Sequence, residues 1–467
     1  MSLPDYESFV AGKLAHHVST GLAGDHPMPS RAFPFQRDLV TWALRRGRAA
    51  IFASTGLGKT LMQCVWADVV ASETGGRVLI LAPLAVAQQT LAEAALLGIP
   101  AVIAREMSGI GPGITITNYD RLHKFDGVRF EGVVRDEASI IKHHDAKTFA
   151  RLVERFRDTP YKLAATATPA PNDFTELGTH AEFLGVCSRT EMLAEWMTHD
   201  GGDTSVWRLK GHARQAFWRW VSTWGAMVRR PSDLGYDDGA YALPPLVHHE
   251  HLLPLDQADV FATGRMFAEE AAGLLERRRA RKHSLSRRVD ECVTTVQAEP
   301  DEPWIVWAEL NSEQDAIADG LGDACVSIYG TLDIEEKEAR LAKFLNGEKR
   351  ILLTKPKIAG WGINAQRAAR MAFVGVNDSW ESYHQAVRRC WRFGQKREVH
   401  VHVFASEAEG AVVRNLQRKE EAAAQMGIEL SRETGITIRE EVFGLKRETN
   451  AYTRPRLEMP RWLTSHE

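Results

Sequence analysis

Residues 49–60 read AAIFASTGLGKT, an apolar, strand-like run that breaks into a glycine turn and continues into LMQCVWADVV, a helical pattern. Strand, glycine turn and helix in that order form the context a phosphate loop requires. Gly56 and Gly58 let the backbone wrap around phosphates, and Lys59 supplies a point charge to the β- and γ-phosphates. Thr60 can ligate Mg²⁺, and Thr55 belongs to the same nucleotide-binding turn. Ala53 stands where the general GxxxxGK[ST] pattern has its first glycine, so the strict expression fails.

Short β-rich runs alternate with helical segments on both sides of a Trp/Arg-rich stretch. AAIFAS, RVLILAP, ITITNY, GVVRDE and YKLAATATP come before it, and PWIVWAE, CVSIYG, RILLTKP, RMAFVGV and EVHVHVF after it. Alternation of this kind predicts parallel sheets covered by helices, and its return after Glu299 predicts an α/β chain of two lobes. The reading divides the chain into an N-terminal segment (1–30), a first lobe (31–181), a helical protrusion and linker (182–255), a second lobe (256–410) and a helical C-terminal tail (411–467). The most basic stretch, ERRRARKHSLSRR from Glu276 to Arg288, reads as a solvated helix face with a lean towards phosphate contact.

Composition narrows the classes. A chain of 467 residues, 44% hydrophobic and 25% charged, can bury more than one core. Met1 to Val10 lacks the pattern of a secretion signal, and the densest apolar region, Arg77 to Ala104, is interrupted by Gln88, Gln89, Thr90 and Glu93. Strand, helix and strand describe that region, and no membrane span is expected. Five scattered cysteines without a CxxC pair suit reduced thiols in a cytoplasm. A formal charge of −3 requires any nucleic-acid binding to come from a local basic surface.

Downstream of the phosphate loop, RDEAS follows the strand-like GVV, and paired carboxylates at a strand end suit metal chemistry. Asp136 is expected to hold Mg²⁺ through its water shell, and Glu137 to orient and deprotonate the attacking water.

The order of these motifs resembles helicase superfamily two over about four-fifths of the chain, and four places sharpen the resemblance towards Swi/Snf-type ATPases. FPFQRDLV sets Phe35 and Gln36 where the family has an aromatic-Gln element that reads adenine. DEASIIKHHDAK and LAATATPAPND resemble its DEAH-IK-AK and LTGTP-Asn runs, with Thr166, Thr168, Pro169 and Asn172 at matching places and Ser139 departing from the usual His or Asp. FWRWVSTWGAMVRRPSDLGYDDGAYALPPL resembles the protrusion and the RR-to-LPP linker. KIAGWGINAQ and HQAVRRCWRFGQ resemble the last two motifs, the second aligning Gln385, Arg389, Arg392, Gly394 and Gln395 with QxxxRxxRxGQ.

The resemblance implies two RecA-like lobes with ATP and Mg²⁺ between them. Arg389 and Arg392, three apart, can lie on one helix face and reach the γ-phosphate from across the cleft. Gly360 and Gly362 are expected at the nucleotide, and Thr166, Thr168, Asn364 and Gln385 in coupling. Pro83, Asn118 and Gly362 are expected near the nucleic acid, with double-stranded DNA as the partner and no protein partner legible. The expected activity is ATP-driven movement along duplex DNA, in a compact bacterial or phage form without histone-reading, nuclease or zinc-binding modules. A strand-separating DNA or RNA helicase, and a catalytically inactive nucleic-acid-binding scaffold, are the alternatives.

Overall fold

The apolar run ahead of the glycine turn lies inside a sheet, and a helix comes first. In the computed structural model, which describes residues 21–83, 86–138, 147–200, 203–254, 284–358, 364–375 and 379–444, α1 (Pro34–Arg46) opens on proline, whose fixed φ suits a first helical turn. Next come β1 (Arg48–Ala53), α2 (Lys59–Thr74), β2 (Val78–Leu81), α3 (Ala87–Leu96), β3 (Ala101–Ile103), β4 (Ile114–Thr117), β5 (Gly132–Arg135), α4 (Lys147–Arg155) and β6 (Tyr161–Thr166). After β6 the chain forms α5 (Leu177–Leu184), α6 (Arg189–Trp196), an antiparallel hairpin of β7 (Met197–Asp200) and β8 (Asp203–Leu209), α7 (Arg214–Ser222) and β9 (Gly225–Val228).

The first sheet is parallel throughout, in the order β3-β4-β2-β5-β6-β1-β9. Parallel sheets need cover on both faces, which explains why the strands read as continuous apolar runs. Trp42 of α1 and Met62, Val65 and Trp66 of α2 cover one face. Phe149 and Leu152 of α4, Phe183 of α5 and Trp218 of α7 cover the other.

The second lobe holds β10 (Leu246–Leu253), α8 (Leu285–Gln297), β11 (Trp304–Ala308), α9 (Asn311–Leu321), β12 (Cys325–Ser327), α10 (Ile334–Leu345), β13 (Ile351–Thr354), β14 (Arg370–Val374), α11 (Trp380–Val387) and β15 (Val399–Ser406). Its sheet is also parallel, in the order β10-β15-β14-β11-β13-β12. Two parallel α/β lobes agree with the alternation read in the sequence.

Residues 182–255 do more than protrude and link, because β9 joins the first sheet beside β1 and β10 joins the second beside β15. Neither strand announces itself. β9 is only four residues long, and the solvent-facing positions of the edge strand β10 are His248, Glu250 and Leu252.

The tail begins as α12 (Gly410–Phe443), 34 residues and hence about 50 Å long. Val412, Val413 and Leu416 pack in the second lobe's core, while Met426, Leu430 and Ile438 pack in the first lobe's. The helix therefore crosses from one lobe to the other. Of the basic run at 276–288, residues 276–283 lie outside the described part. Arg288 is fully buried, with its guanidinium 2.8 Å from the equally buried Glu313. A phosphate contact at Arg288 is thereby overturned, since a guanidinium without exposed surface cannot meet a nucleic acid. Among the described residues, no helix is long and apolar enough to cross a membrane.

Candidate nucleotide site between the lobes

In the first sheet β6 lies between β5 and β1, so the loops after these three strands open side by side at their C-terminal ends, where parallel sheets place ligands. β1 leads into the glycine turn at 54–58, the expected phosphate loop, β5 delivers Asp136 and Glu137, and β6 delivers Thr166 and Thr168. Gly56 and Gly58 hold φ of 93° and 79°, left-handed values that cost a side-chain-bearing residue free energy. A Cβ on Gly58 would overlap the Gln36 amide, and a Cβ on Gly56 would lie 3.0 Å from Cβ of Phe393 in the second lobe. Both glycines are thus required by close approach as well as by φ.

Lys59 opens α2, and its Nζ donates to the Ala53 carbonyl at 3.2 Å. Burial lowers its pKa most. The carboxylates of Glu137 and Asp136 raise it again, while Arg388 and Arg389 lower it further. The ammonium thus stands within the field of both carboxylates and of two arginines from the other lobe.

Thr60 and Gln63 share a face of α2, three positions apart, and Gln63 Nε2 donates to Asp136 Oδ1 at 2.6 Å. The Glu137 amide donates to the same oxygen at 3.0 Å, and the Tyr119 hydroxyl donates to the Asp136 carbonyl at 2.6 Å. Burial, with repulsion from Glu137, pushes the Asp136 carboxyl up to about 6, despite the Gln63 bond and the Lys59 charge. Glu137 holds φ 44°, and its buried Oε2 has no hydrogen-bond partner. Backbone strain and an orphaned carboxylate oxygen at one residue are features found at functional sites.

Among the described residues, no three His, Cys, Asp or Glu side chains converge as a metal cage. A phosphate-loop Mg²⁺ needs none, because it takes one or two protein oxygens and completes its shell with phosphates and water. The Thr60 hydroxyl and the Asp136 carboxylate are hard oxygen donors of that kind. Together with the unpartnered Glu137 oxygen beside them they fit Mg²⁺.

From the second lobe, Arg389 and Arg392 carry buried Nε atoms without partners, as does Arg388. Burial lowers all three arginines, Arg388 and Arg389 to about 10, and the charge of Glu137 acts against this at Arg389. The two expected arginines do not share a helix face. α11 ends at Val387, and residues 388–394 form turns, tied down where the Ala365 amide donates to the Arg389 carbonyl at 3.0 Å and where Gly394 takes φ 89°. Gln395 is spent on this fold: its Nε2 donates to the Gln366 and Ala368 carbonyls, both at 3.0 Å.

The lobes also meet where Thr168 Oγ1 donates to Glu381 Oε1 of α11 at 3.4 Å, while the Thr168 amide donates to Thr166 Oγ1 at 3.2 Å. Gln385 lies one turn further along the same helix, partly exposed. Phe35 and Gln36 are buried. Gln36 Oε1 accepts from the Phe33 amide at 2.9 Å, and its Nε2 donates to the Leu57 carbonyl at 2.8 Å, so it braces the phosphate loop.

Asn118 is buried directly before Tyr119, and its Oδ1 lacks a partner, whereas Pro83 is half-buried in the loop after β2. Asn364 is exposed; Gly360, Gly362 and Ser139 lie outside the described residues. Sequence reasoning passed over Gln63, Tyr119, Glu381, Arg388 and Phe393. Arg388 and Phe393 stood inside the quoted HQAVRRCWRFGQ run, and the others carried no signal.

Comparison with known proteins bears on the same elements. Residues 287–394 match the family model described as the helicase conserved C-terminal domain. No curated protein matches. Among solved structures, the chain is similar to a Sulfolobus solfataricus SWI2/SNF2 ATPase core in complex with dsDNA, at 18% identity and a TM-score of 0.42, over 91% of this chain and 98% of that one. It is also similar to a Sulfolobus solfataricus SWI2/SNF2 ATPase core domain, at 20% identity and a TM-score of 0.40, over 82% and 86%. The matched family segment runs from α8 to Gly394 and takes in Arg389 and Arg392. The second lobe of this chain thus contains, at residues 287–394, a segment that matches the helicase conserved C-terminal domain.

Proposed function

We propose that the chain is an ATP-dependent, Swi/Snf-type translocase that moves along double-stranded DNA. The observation that carries this reading is the constellation across the cleft. Lys59 and Glu137 of one lobe lie within the electrostatic field of Arg389 from the other, Asp136 lies within that of Lys59 and Glu137, and Glu137 and Arg389 each keep a buried polar atom without a partner. Such atoms are costly unless a ligand satisfies them, and a triphosphate with its attacking water offers acceptors to the arginine and a proton to the carboxylate.

In this mechanism the amides at Gly56 and Gly58 and the Lys59 ammonium bind the phosphates. Thr60 and Asp136 would hold Mg²⁺, which would supply charge neutralisation on the phosphate oxygens. Glu137 takes the proton of the attacking water, and Arg389 and Arg392 stabilise charge that develops on the transferred phosphoryl group. Because these arginines sit on the second lobe, hydrolysis requires closed lobes, and Thr168 with Glu381 links the strand end carrying Thr166 to the helix preceding the arginines. Opening and closing then alternates the grip on the DNA backbone, a grip with little sequence dependence. The duplex partner is supported by the motif resemblance, and Pro83, Asn118 and Gly362 remain its proposed contacts.

The test is ATP hydrolysis by the wild type and by Glu137→Gln with linear duplex DNA present. Turnover in the wild type, and its loss in a variant that still binds ATP, is the expected result. Equal turnover in both removes Glu137 from the role of base.

A further inference from the structure

Successive side chains of a strand point to opposite faces, and the end of β5 uses both. Asp136 turns towards α2, where Gln63 meets it, whereas Arg135 turns the other way, into the core under α4 and α5. There its guanidinium carbon lies 4.7 Å from the ring centre of Phe183 and 5.9 Å from that of Phe149. Arg135 is 0% exposed, and among the described residues its Nε and Nη1 have no hydrogen-bond partner. A guanidinium buried in this way is costly, and an apolar side chain of similar volume would fill the same space at less cost. What an apolar side chain cannot do is donate a hydrogen bond. Arg135 Nη2 donates one, to the Ala138 carbonyl at 2.7 Å.

That carbonyl closes the turn on which Glu137 sits. The peptide ahead of Glu137 is held at both ends, its carbonyl by the Tyr119 hydroxyl at 2.6 Å and its amide by Asp136 Oδ1 at 3.0 Å. The residue behind Glu137 is held by Arg135. Between these holds Glu137 takes φ 44°, the one positive φ among the described residues other than glycine. A backbone in that region persists only where its surroundings over-determine it, and two of the three holds come from side chains buried in the core. The same two side chains lie close together: burial raises the Tyr119 phenol, and the Arg135 charge acts against this.

Resting on the nucleotide-site reading above, we propose that Arg135 and Tyr119 are positioning residues for the base, fixing the left-handed turn at Glu137 and so holding its carboxylate where the attacking water binds. Neither side chain touches the nucleotide in this account. Both act through Glu137, so their loss lowers the rate of the chemical step and leaves ATP binding nearly as it was.

The experiment is ATP hydrolysis by the full chain with linear duplex DNA at about pH 8, where His180 stays neutral with or without the Arg135 charge. The proteins are the wild type, Arg135→Met, Arg135→Lys, Tyr119→Phe, Glu137→Gln and the double variant Arg135→Met with Glu137→Gln. Arg135→Met should lower kcat about 100-fold, the cost of misplacing a reacting group by about 1 Å, with KM for ATP within a few-fold of wild type. Tyr119→Phe should lower kcat about tenfold, the equivalent of one hydrogen bond. Arg135→Lys, which keeps a donor, should recover part of the loss. Once Glu137 is Gln there is no base left to position, so single-turnover hydrolysis by the double variant should equal that of Glu137→Gln alone.

A wild-type kcat in Arg135→Met or in Tyr119→Phe overturns the inference, and a loss confined to Glu137→Gln then leaves the base itself standing. A raised KM at unchanged kcat also overturns it, as does a further loss in the double variant, because Arg135 would then act on something other than Glu137. Should Arg135→Met not fold, Tyr119→Phe, which removes a single oxygen, decides by the same readings alone and in the Glu137→Gln background. Wild-type turnover in Glu137→Gln brings down the reading of Glu137 as base, and the positioning role with it.

Discussion

β9 is the outermost strand of the first sheet, paired with β1 on one side. On its other side the Met227 amide donates to Thr434 Oγ1 of α12 at 2.9 Å, and Thr434 is 1% exposed. The long helix thus supplies the hydrogen-bond partner that an edge strand otherwise lacks. Thr434→Val keeps the shape and removes the acceptor. It leaves a buried amide unsatisfied, at a cost of about 1–3 kcal/mol. Taking about 2 kcal/mol, the population in which this amide opens to water rises about 30-fold.

The effect stays local, because the Arg214–Glu429 pair, the Ser222–Thr437 hydroxyl contact and the Arg46–Glu441 pair still dock the helix. Amide hydrogen exchange across Gly225–Val228 measures it directly. Exchange about 30-fold faster at Met227 in Thr434→Val, and near wild-type protection in Thr434→Ser, is the expected outcome. Unchanged protection in Thr434→Val would mean that α12 does not cap this strand.

Lys59→Ala should lose both nucleotide binding and turnover, whereas Arg389→Ala should keep ATP affinity within a few-fold and lose about 10³-fold or more in turnover. Calorimetry and steady-state kinetics separate the two, and a large affinity loss in Arg389→Ala would place that arginine in the ground state. His180 makes the first lobe acid-labile. Burial, reinforced by Arg135, pushes its imidazole from 6.5 down to about 3, although its Nε2 bonds the Pro169 carbonyl. The unfolded chain accepts the proton near 6.5 and the folded one only near 3, so this contribution is complete above pH 6.5 and drains away as pH falls towards 3. At pH 5 that loss amounts to about 2 kcal/mol. His180→Gln should therefore flatten the fall in melting temperature between pH 7.5 and 5, and an identical fall in both proteins would show that His180 is not held neutral.

Much of this molecule was legible because its chemistry is local in sequence. A phosphate loop is read from strand, glycines, lysine and helix within about a dozen residues, and β1, Gly56, Gly58, Lys59 and α2 follow one another in that order. The ten β-rich runs quoted from the sequence all became strands of the two sheets, since strands covered on both faces are written in β-branched and apolar residues, with Thr or His interspersed in β4 and β15. Non-local pairings left no such trace. The four residues GAMV give no sign that they will lie beside β1, and α12 reads as a helical tail although Leu430 and Ile438 belong to the first lobe's core. Within the site, Gln63 was one polar residue on a helix until β5 brought Asp136 to its amide. The arginine spacing suggested a helix face, but a closing loop put them in turns, because Ala365 and Gln395 hold the backbone there.

The central claim, a duplex-driven ATPase, is tested most directly by the steady-state ATP hydrolysis rate of the purified chain. The rate is measured alone, with double-stranded DNA, with single-stranded DNA and with RNA, at one fixed low salt concentration. The account predicts stimulation chiefly by double-stranded DNA. Stimulation chiefly by single strands or RNA would contradict the translocase reading in favour of a strand-separating helicase, and no turnover under any condition would leave a nucleic-acid-binding scaffold.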